Sequence, residues 1–351
     1  MSLLGKRIKQ ARLRARASQR DLAGKSGVSA TAISKYETGK MKPGSDVILK
    51  ISDALDVDVA FFLRPERVTS IKPAYRKLKK LSKTSEYQLI ERIRDWLERY
   101  LEAEDIVEPK RRLFVMPEGF PWVVERVDDA EPAAERLRQA WDLGSAPIEN
   151  LTLVLEHHGI RVGLIEADED FDACTFTAEV NGGLPVMVTH RGVPGDRQRF
   201  SLAHELGHLL LSFPEEATEK MEEHACNRFA GALLAPRDQL LQDVGDVRGT
   251  ISKEELLMLK HNYGISMRAL TYRFWDAGIT TKGEWKSAQR AFTSLGWHVQ
   301  EPGEPVTPEE PQRFRMLVLR AVAEDMISEK RARELLGSDV DVFTEPALAE
   351  A

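Results

Sequence analysis

Arg199-Phe-Ser-Leu-Ala-His-Glu-Leu-Gly-His-Leu-Leu-Leu211 sets two histidines, His204 and His208, four residues apart, with Glu205 directly after the first. On an α-helix residues at that spacing lie about one turn apart on the same face. The two imidazoles can therefore close on one zinc ion, at about 2.0–2.1 Å per Zn–N bond. Glu205 falls beside the metal and suits another task, taking a proton from an attacking water and delivering it to a leaving amine. The flanking Phe200, Leu202, Ala203, Leu206, Leu209, Leu210 and Leu211 describe a buried helix. Two histidines and a glutamate in such a helix are costly unless something satisfies them, and zinc would.

A hydrolytic zinc site usually has three protein ligands and an open fourth position. Glu222-Glu-His-Ala-Cys-Asn-Arg-Phe-Ala-Gly-Ala-Leu-Leu-Ala-Pro236 begins 14 residues after His208, with Ala225, Phe229, Ala232 and Leu233 at helical spacing and Pro236 as its stop. A second helix crossing the first would bring Glu223 to the metal, with Asn227 one turn on to hold a histidine or the carboxylate. Glu222, His224 and Cys226 are rival ligands; His224 faces away and reads as a surface histidine, Cys226 as a small core residue.

These two stretches resemble the ImmA/IrrE family of zinc metallopeptidases, as do Leu259-Lys-His-Asn-Tyr-Gly-Ile-Ser-Met-Arg-Ala-Leu-Thr-Tyr-Arg273 and Gly195-Asp-Arg-Gln-Arg199. The resemblance covers roughly residues 130 to 280. It implies a zincin-like domain with one zinc held by His204, His208 and Glu223, and Glu205 as catalytic base. It also implies cleavage of lambda-type repressor proteins, switching on stress or mobile-element genes. Ala235 stands where the family usually has methionine, a packing change that touches nothing catalytic. An oxyanion must also be steadied; His190, Arg191, His261 and Tyr263 are the candidates, and the sequence does not choose among them.

Ser18-Gln-Arg-Asp-Leu-Ala-Gly-Lys-Ser-Gly-Val-Ser-Ala-Thr-Ala-Ile-Ser-Lys-Tyr-Glu-Thr-Gly-Lys40 is an independent signal. It reads as two short helices about a turn at Gly27, capped by Ser18 and Ser29, with Asp21 completing a capping box. Leu22, Ala23, Val28 and Ile33 face inward. This resembles the helix-turn-helix of lambda-type (Xre-family) repressors, with flanking helices expected at Leu4–Arg14, Ser45–Leu55 and Val59–Leu63. In that fold the second helix enters the DNA major groove. Ala30, Thr31, Ser34 and Lys35 are its exposed positions, and Gln19 reaches the same groove. Ala30 and Thr31 suit thymine methyls, Gln19 adenine and Lys35 guanine. Charge agrees with this: residues 1–80 hold 19 Lys/Arg and 7 Asp/Glu, net +12, whereas the other 271 residues hold 31 and 49, net −18.

The expected fold class is α+β. A five-helix DNA-binding unit (1–65) and a basic linker (66–84) precede a metallopeptidase domain (85–283). A Pro/Glu-rich tether (284–312, densest at 301–311) and a helical appendage (313–351) follow. An amphipathic helix over Ser85–Ile106 is expected to pack on the peptidase, with dimerisation along it as the alternative. Further helices are expected at Glu131–Leu143 and Ile148–His158. His157-His158 ends a helix before Gly159, where histidine suits the dipole, and is assigned no metal. Strands are expected at Ile160–Ile165, Cys174–Val180 and Leu184–Thr189 in a small antiparallel sheet, with a hairpin turn at Asn181-Gly182-Gly183. Such a hairpin can offer an edge strand to an extended peptide.

Met1-Ser-Leu-Leu-Gly-Lys-Arg7 has no long apolar run after its charges, and no stretch approaches about 20 apolar residues, so the expectation is a cytoplasmic protein without a membrane span. Cys174 and Cys226 cannot build a disulfide framework and are expected reduced. The expected partners are operator DNA and a repressor-type protein, with a homodimer compatible. The competing reading is a regulator or antitoxin whose zinc fold senses a ligand or partner and cleaves nothing. An intact Glu205 favours catalysis, since sensing alone does not need it.

Overall fold

Serine caps set the first unit. In the computed structural model, which describes residues 2–337 apart from 16, 65, 69, 74–81, 109, 168–170 and 181–182, Ser18 accepts from the Asp21 amide while the Asp21 carboxylate takes the Ser18 amide. Ser29 caps the next helix through the Ala32 amide. Gly27 lies between them at φ 69°, in the left-handed region that glycine enters without a Cβ clash. The products are α1 (Leu3–Arg14), α2 (Gln19–Ser26), α3 (Ala30–Thr38) and α4 (Ser45–Leu55), closed by a 3-10 turn at Val59–Leu63. Ile8, Leu22, Ile33, Ile51 and Phe62 form their core.

The second unit is layered on a sheet of four strands in the order β1-β4-β5-β3: β1 (Ile71–Pro73), β4 (Ala173–Ala178), β5 (Leu184–His190) and β3 (Arg161–Ile165). Period-two alternation sorts its side chains between two faces. Cys174, Phe176, Val186 and Val188 point to one, where α5 (Lys83–Val107) covers them with Leu89, Ile93, Leu97 and Leu101. Val162 and Met187 point to the other, into the main core built by α6 (Ala130–Ala140), α7 (Leu151–His157), α8 (Gly195–Leu210) and α9 (Glu219–Leu234). The architecture is α+β, with one difference from expectation. β4 runs antiparallel to β1 and β5, but β3 runs parallel to β5, so the sheet is mixed. Strand direction is fixed by non-local pairing, which alternation cannot report. The hairpin turn expected at Asn181 and Gly182 lies outside the described residues. A two-stranded parallel pair, β2 (Trp122–Val123) with β6 (Leu211–Ser212), closes the end of α8. Then α10 (Arg237–Val244), α11 (Lys253–Tyr263), α12 (Met267–Asp276) and α13 (Lys282–Ser294) complete the domain.

α5 also holds the rest of the chain. Tyr100, Ala103 and Val107 meet α14 (Arg313–Ala323) and α15 (Glu329–Leu336), with Tyr100 stacked on Phe314 at 5.1 Å. On the side toward the first unit, Glu98 pairs with the buried Arg7 of α1, and Asp95 lies 3.5 Å from Arg14. The apolar residues of α5 are therefore used inside the chain, and dimerisation along this helix is not their role.

Two segments read from composition as connectors are built into the fold. Residues 66–68 and 70–73 of the expected linker are built into the fold: Val68 is fully buried, and Glu66 bonds Lys6 at 2.7 Å. Arg67 pairs with Asp105 at 3.2 Å. Residues 284–312 are not a free tether. α13 runs to Ser294, and two of the glutamates that follow, Glu301 and Glu309, cap helices. Glu301 accepts from the Met267 and Arg268 amides at 2.9 Å each. Glu309 accepts from the Leu151 and Thr152 amides at 3.0 and 2.7 Å. A carboxylate at a helix N-terminus satisfies orphan N–H groups and meets the positive end of the dipole. Gln312 and Arg313 in turn give their amides to Glu156. A Pro/Glu-rich composition looks unstructured because those carboxylates serve equally well in water.

Candidate functional site

α8 and α9 cross where α8 carries glycine. A Cβ on Gly207 would meet the Cys226 Cα and the Phe229 ring at 3.3 Å each, so any larger residue would push the helices apart by a few tenths of an ångström. The crossing brings one face of α9, the positions Glu223, Cys226 and Asn227, against the two histidines. His204 and His208 turn their Nε2 atoms toward each other at 3.0 Å. The Glu223 oxygens lie 3.5 Å from the His204 Nε2 and 3.3 Å from that of His208. These three donors all lie within 4.8 Å of one another, and they are the one such group among the described residues. Two imidazole nitrogens and one carboxylate oxygen, with both rings buried, fit a zinc ion by donor chemistry.

The outward Nδ1 atoms are held too. That of His204 faces the Asn227 Oδ1 at 2.8 Å, and that of His208 faces the Cys226 Sγ at 3.3 Å. Fixing Nδ1 selects the tautomer that leaves Nε2 for a metal. Glu222 is half-buried and His224 exposed, and neither joins the cluster. Glu205 is fully buried, and its Oε2 accepts the Thr175 amide of β4 at 2.8 Å. That amide points away from β5, toward the edge that β1 occupies.

The oxyanion candidates do not gather here. The Tyr263 hydroxyl donates to the Asp243 Oδ2 at 2.5 Å inside the core, and burial together with that carboxylate drives its pKa far up. His261 is exposed on α11. His190 ends β5 three residues beyond Met187, the register partner of Thr175, which puts it about 10 Å along the strand. Arg191 is exposed at the same end, 3.9 and 3.7 Å from Glu166 and Glu310. From that end of the sheet, α8 runs from its start at Gly195 about 13 Å to His204.

On the first unit, α1 takes the contacts with α5, and the α3 residues Thr31 and Lys35 are exposed. Ser34 is partly buried, and Ala30 packs partly against the unit's own core. The Gln19 amide donates to the Glu37 Oε2 at 2.7 Å, and Glu37 is clamped by Arg12 at 2.5 and 3.0 Å.

Residues 8–62 match the helix-turn-helix family model, and residues 155–274 match that of the IrrE N-terminal-like domain, a peptidase family M78 model. The chain is a fusion of these two domain types. Among curated proteins it finds no match. Its matched segments make the fusion a helix-turn-helix protein with a metallopeptidase-type domain. Among the described residues no helix is long and apolar enough to cross a membrane.

Two features of the fusion's site were missed from sequence. A backbone amide such as that of Thr175 leaves no signature in residue identity. Cys226 did leave one, since Glu223, Cys226 and Asn227 share a helical face by their three- and four-residue spacing.

Proposed function

We propose that the fusion is a DNA-binding transcriptional regulator carrying a zinc-dependent endopeptidase, whose substrate is a repressor-type protein or its own chain. The observation that carries this reading is the convergence of His204, His208 and Glu223 beside a buried Glu205. Zinc held by those three residues would supply Lewis acidity toward a scissile carbonyl and an attacking water. Glu205, oriented by the Thr175 amide, takes the proton from the water and passes it to the leaving amine. Asn227 and Cys226 keep the imidazoles in register. At the other end, Thr31 and Lys35 meet base edges, while Gln19 is pre-oriented by Glu37 toward the same groove. The −18 body stays off the phosphates that the +12 head attracts. Tethering then raises the effective concentration of any repressor bound nearby.

Elemental analysis and a cleavage assay test this together. His204→Ala and Glu223→Ala should lose zinc, whereas Glu205→Gln should keep zinc and lose cleavage. Retention of stoichiometric zinc by either alanine variant sinks the ligand set. Fragments of the wild-type chain, mapped by mass against Glu205→Gln, reveal self-cleavage between residues 64 and 83. An intact chain leaves helix-turn-helix repressors as substrates in trans. If these also stay whole with zinc and operator DNA present, the fusion is a regulator that does not cleave.

A further inference from the structure

β4 has two edges. β5 takes one, and β1, three residues from the segment joining the two units, takes the other. The register is Ile71↔Ala178, Lys72↔Thr177 and Pro73↔Phe176. Pairing among the described residues thus stops one position short of Thr175, whose amide holds Glu205 at 2.8 Å. An extended peptide added beside Glu205 along this edge would need the same backbone groups of β4.

We propose that Ile71–Pro73 is an internal competitor strand, held on the substrate edge of β4 by the docked helix-turn-helix unit. The inference rests on the reading of α8 and α9 as a peptidase site and adds its regulation. The segment is gripped from both units. Arg7 of α1 donates to the Arg64 carbonyl at 3.3 Å, and Lys6 bonds Glu66 at 2.7 Å. From α5, Arg94 donates to the Val68 carbonyl at 3.1 Å. The Glu179 amide donates to the Ser70 carbonyl at 2.9 Å, and Lys72 reaches the Glu179 carboxylate at 2.5 Å. Ile71 is buried in the core beneath α5. A displacing substrate is therefore an extended segment that brings an apolar side chain to the Ile71 position and a basic one beside Glu179. A change at α1 that frees Glu66 and Arg64 loosens the strand, which couples the state of the DNA-binding unit to access at Glu205.

The test locks the strand in place. Lys72→Cys and Thr177→Cys, made together in the full chain, set a thiol pair across β1 and β4, with closure verified by mass. The native cysteines are both buried. One readout is capture of a fluorescein-labelled synthetic peptide with the sequence of residues 67–74; the other is hydrolysis of an unstructured peptide library. The locked chain should capture and cut at least tenfold less than its reduced form, with recovery on adding reductant. Lys72→Pro, which removes a ladder donor from the edge without touching the site, should capture at least tenfold better than wild type. Equal capture by locked and reduced chains, or unchanged cutting in the locked form, overturns the inference while the peptidase reading stands. Capture that follows the lock with no cutting in any form sustains the competitor strand and removes the peptidase.

Discussion

His204 leans on an amide oxygen and His208 on a thiol. An amide oxygen is the stronger acceptor for an imidazole N–H. Asn227→Ala should weaken zinc binding about 10–100-fold, read by chelator competition, and Cys226→Ala should weaken it less. Unchanged affinity in Asn227→Ala would leave that contact without a role. His158 offers a pH test. Its ring stacks on Trp141 at 4.0 Å, and burial, then His157 and Arg112, pushes its pKa down to about 4 from 6.5. The folded chain keeps this ring neutral where the unfolded chain protonates it, so stability is lost as pH falls from 6.5 toward 4. His158→Phe keeps the stack and drops the proton, so its melting temperature should fall less than that of wild type across this window. At this scale the candidate ligands and Asn227 were legible because helical spacing places side chains on faces. That the Tyr263 hydroxyl is already held by Asp243 was not legible, because a residue's type says nothing of its partner.

Among the elements, α3 rests on a buried ion pair. Glu37 is only 2% exposed and takes Arg12 and Gln19. Glu37→Ala strands the Arg12 guanidinium and should cost about 3–5 kcal/mol, measured by chemical denaturation of the helix-turn-helix unit. Thr31→Ala, exposed on the same helix, should cost about 1–3 kcal/mol on a cognate operator and little on random DNA. Equal losses on both would take α3 out of base recognition. Changes of surface Lys or Arg in residues 1–80 should weaken all sequences alike and flatten the salt dependence. Two copies bound together imply half-sites about one helical turn apart. Helix starts were read closely, with α5 expected from Ser85 and beginning at Lys83, because serine caps are local chemistry. The parallel pairing of β3 and the capping by Glu301 and Glu309 depend on residues far away in the chain. No window of sequence contains them.

The whole molecule turns on α5, which meets the sheet, the C-terminal helices and α1. The tie to α1 centres on Arg7 and Glu98, both nearly inaccessible. Glu98→Ala removes the carboxylate from that buried guanidinium, and the helix-turn-helix unit should then melt ahead of the rest. Calorimetry should resolve two transitions where wild type gives one, while operator affinity stays within about twofold because α3 lies outside the docking surface. A single transition at the wild-type temperature would make the docking energetically idle.

Glu309 pairs with Arg199, a buried residue five positions before His204. During synthesis the helix-turn-helix unit emerges before α8 and α9 and has its own core. α8 and α9 are complete at Leu234, yet the carboxylate that neutralises Arg199 arrives roughly 75 residues later, about 4–15 s at ribosomal rates. A growing chain can therefore complete its helix-turn-helix unit before α8 is fully seated. A chain cut short before Glu309 would keep the helix-turn-helix unit but leave Arg199 of α8 without that carboxylate, so the order of synthesis separates the completion of the two units in time.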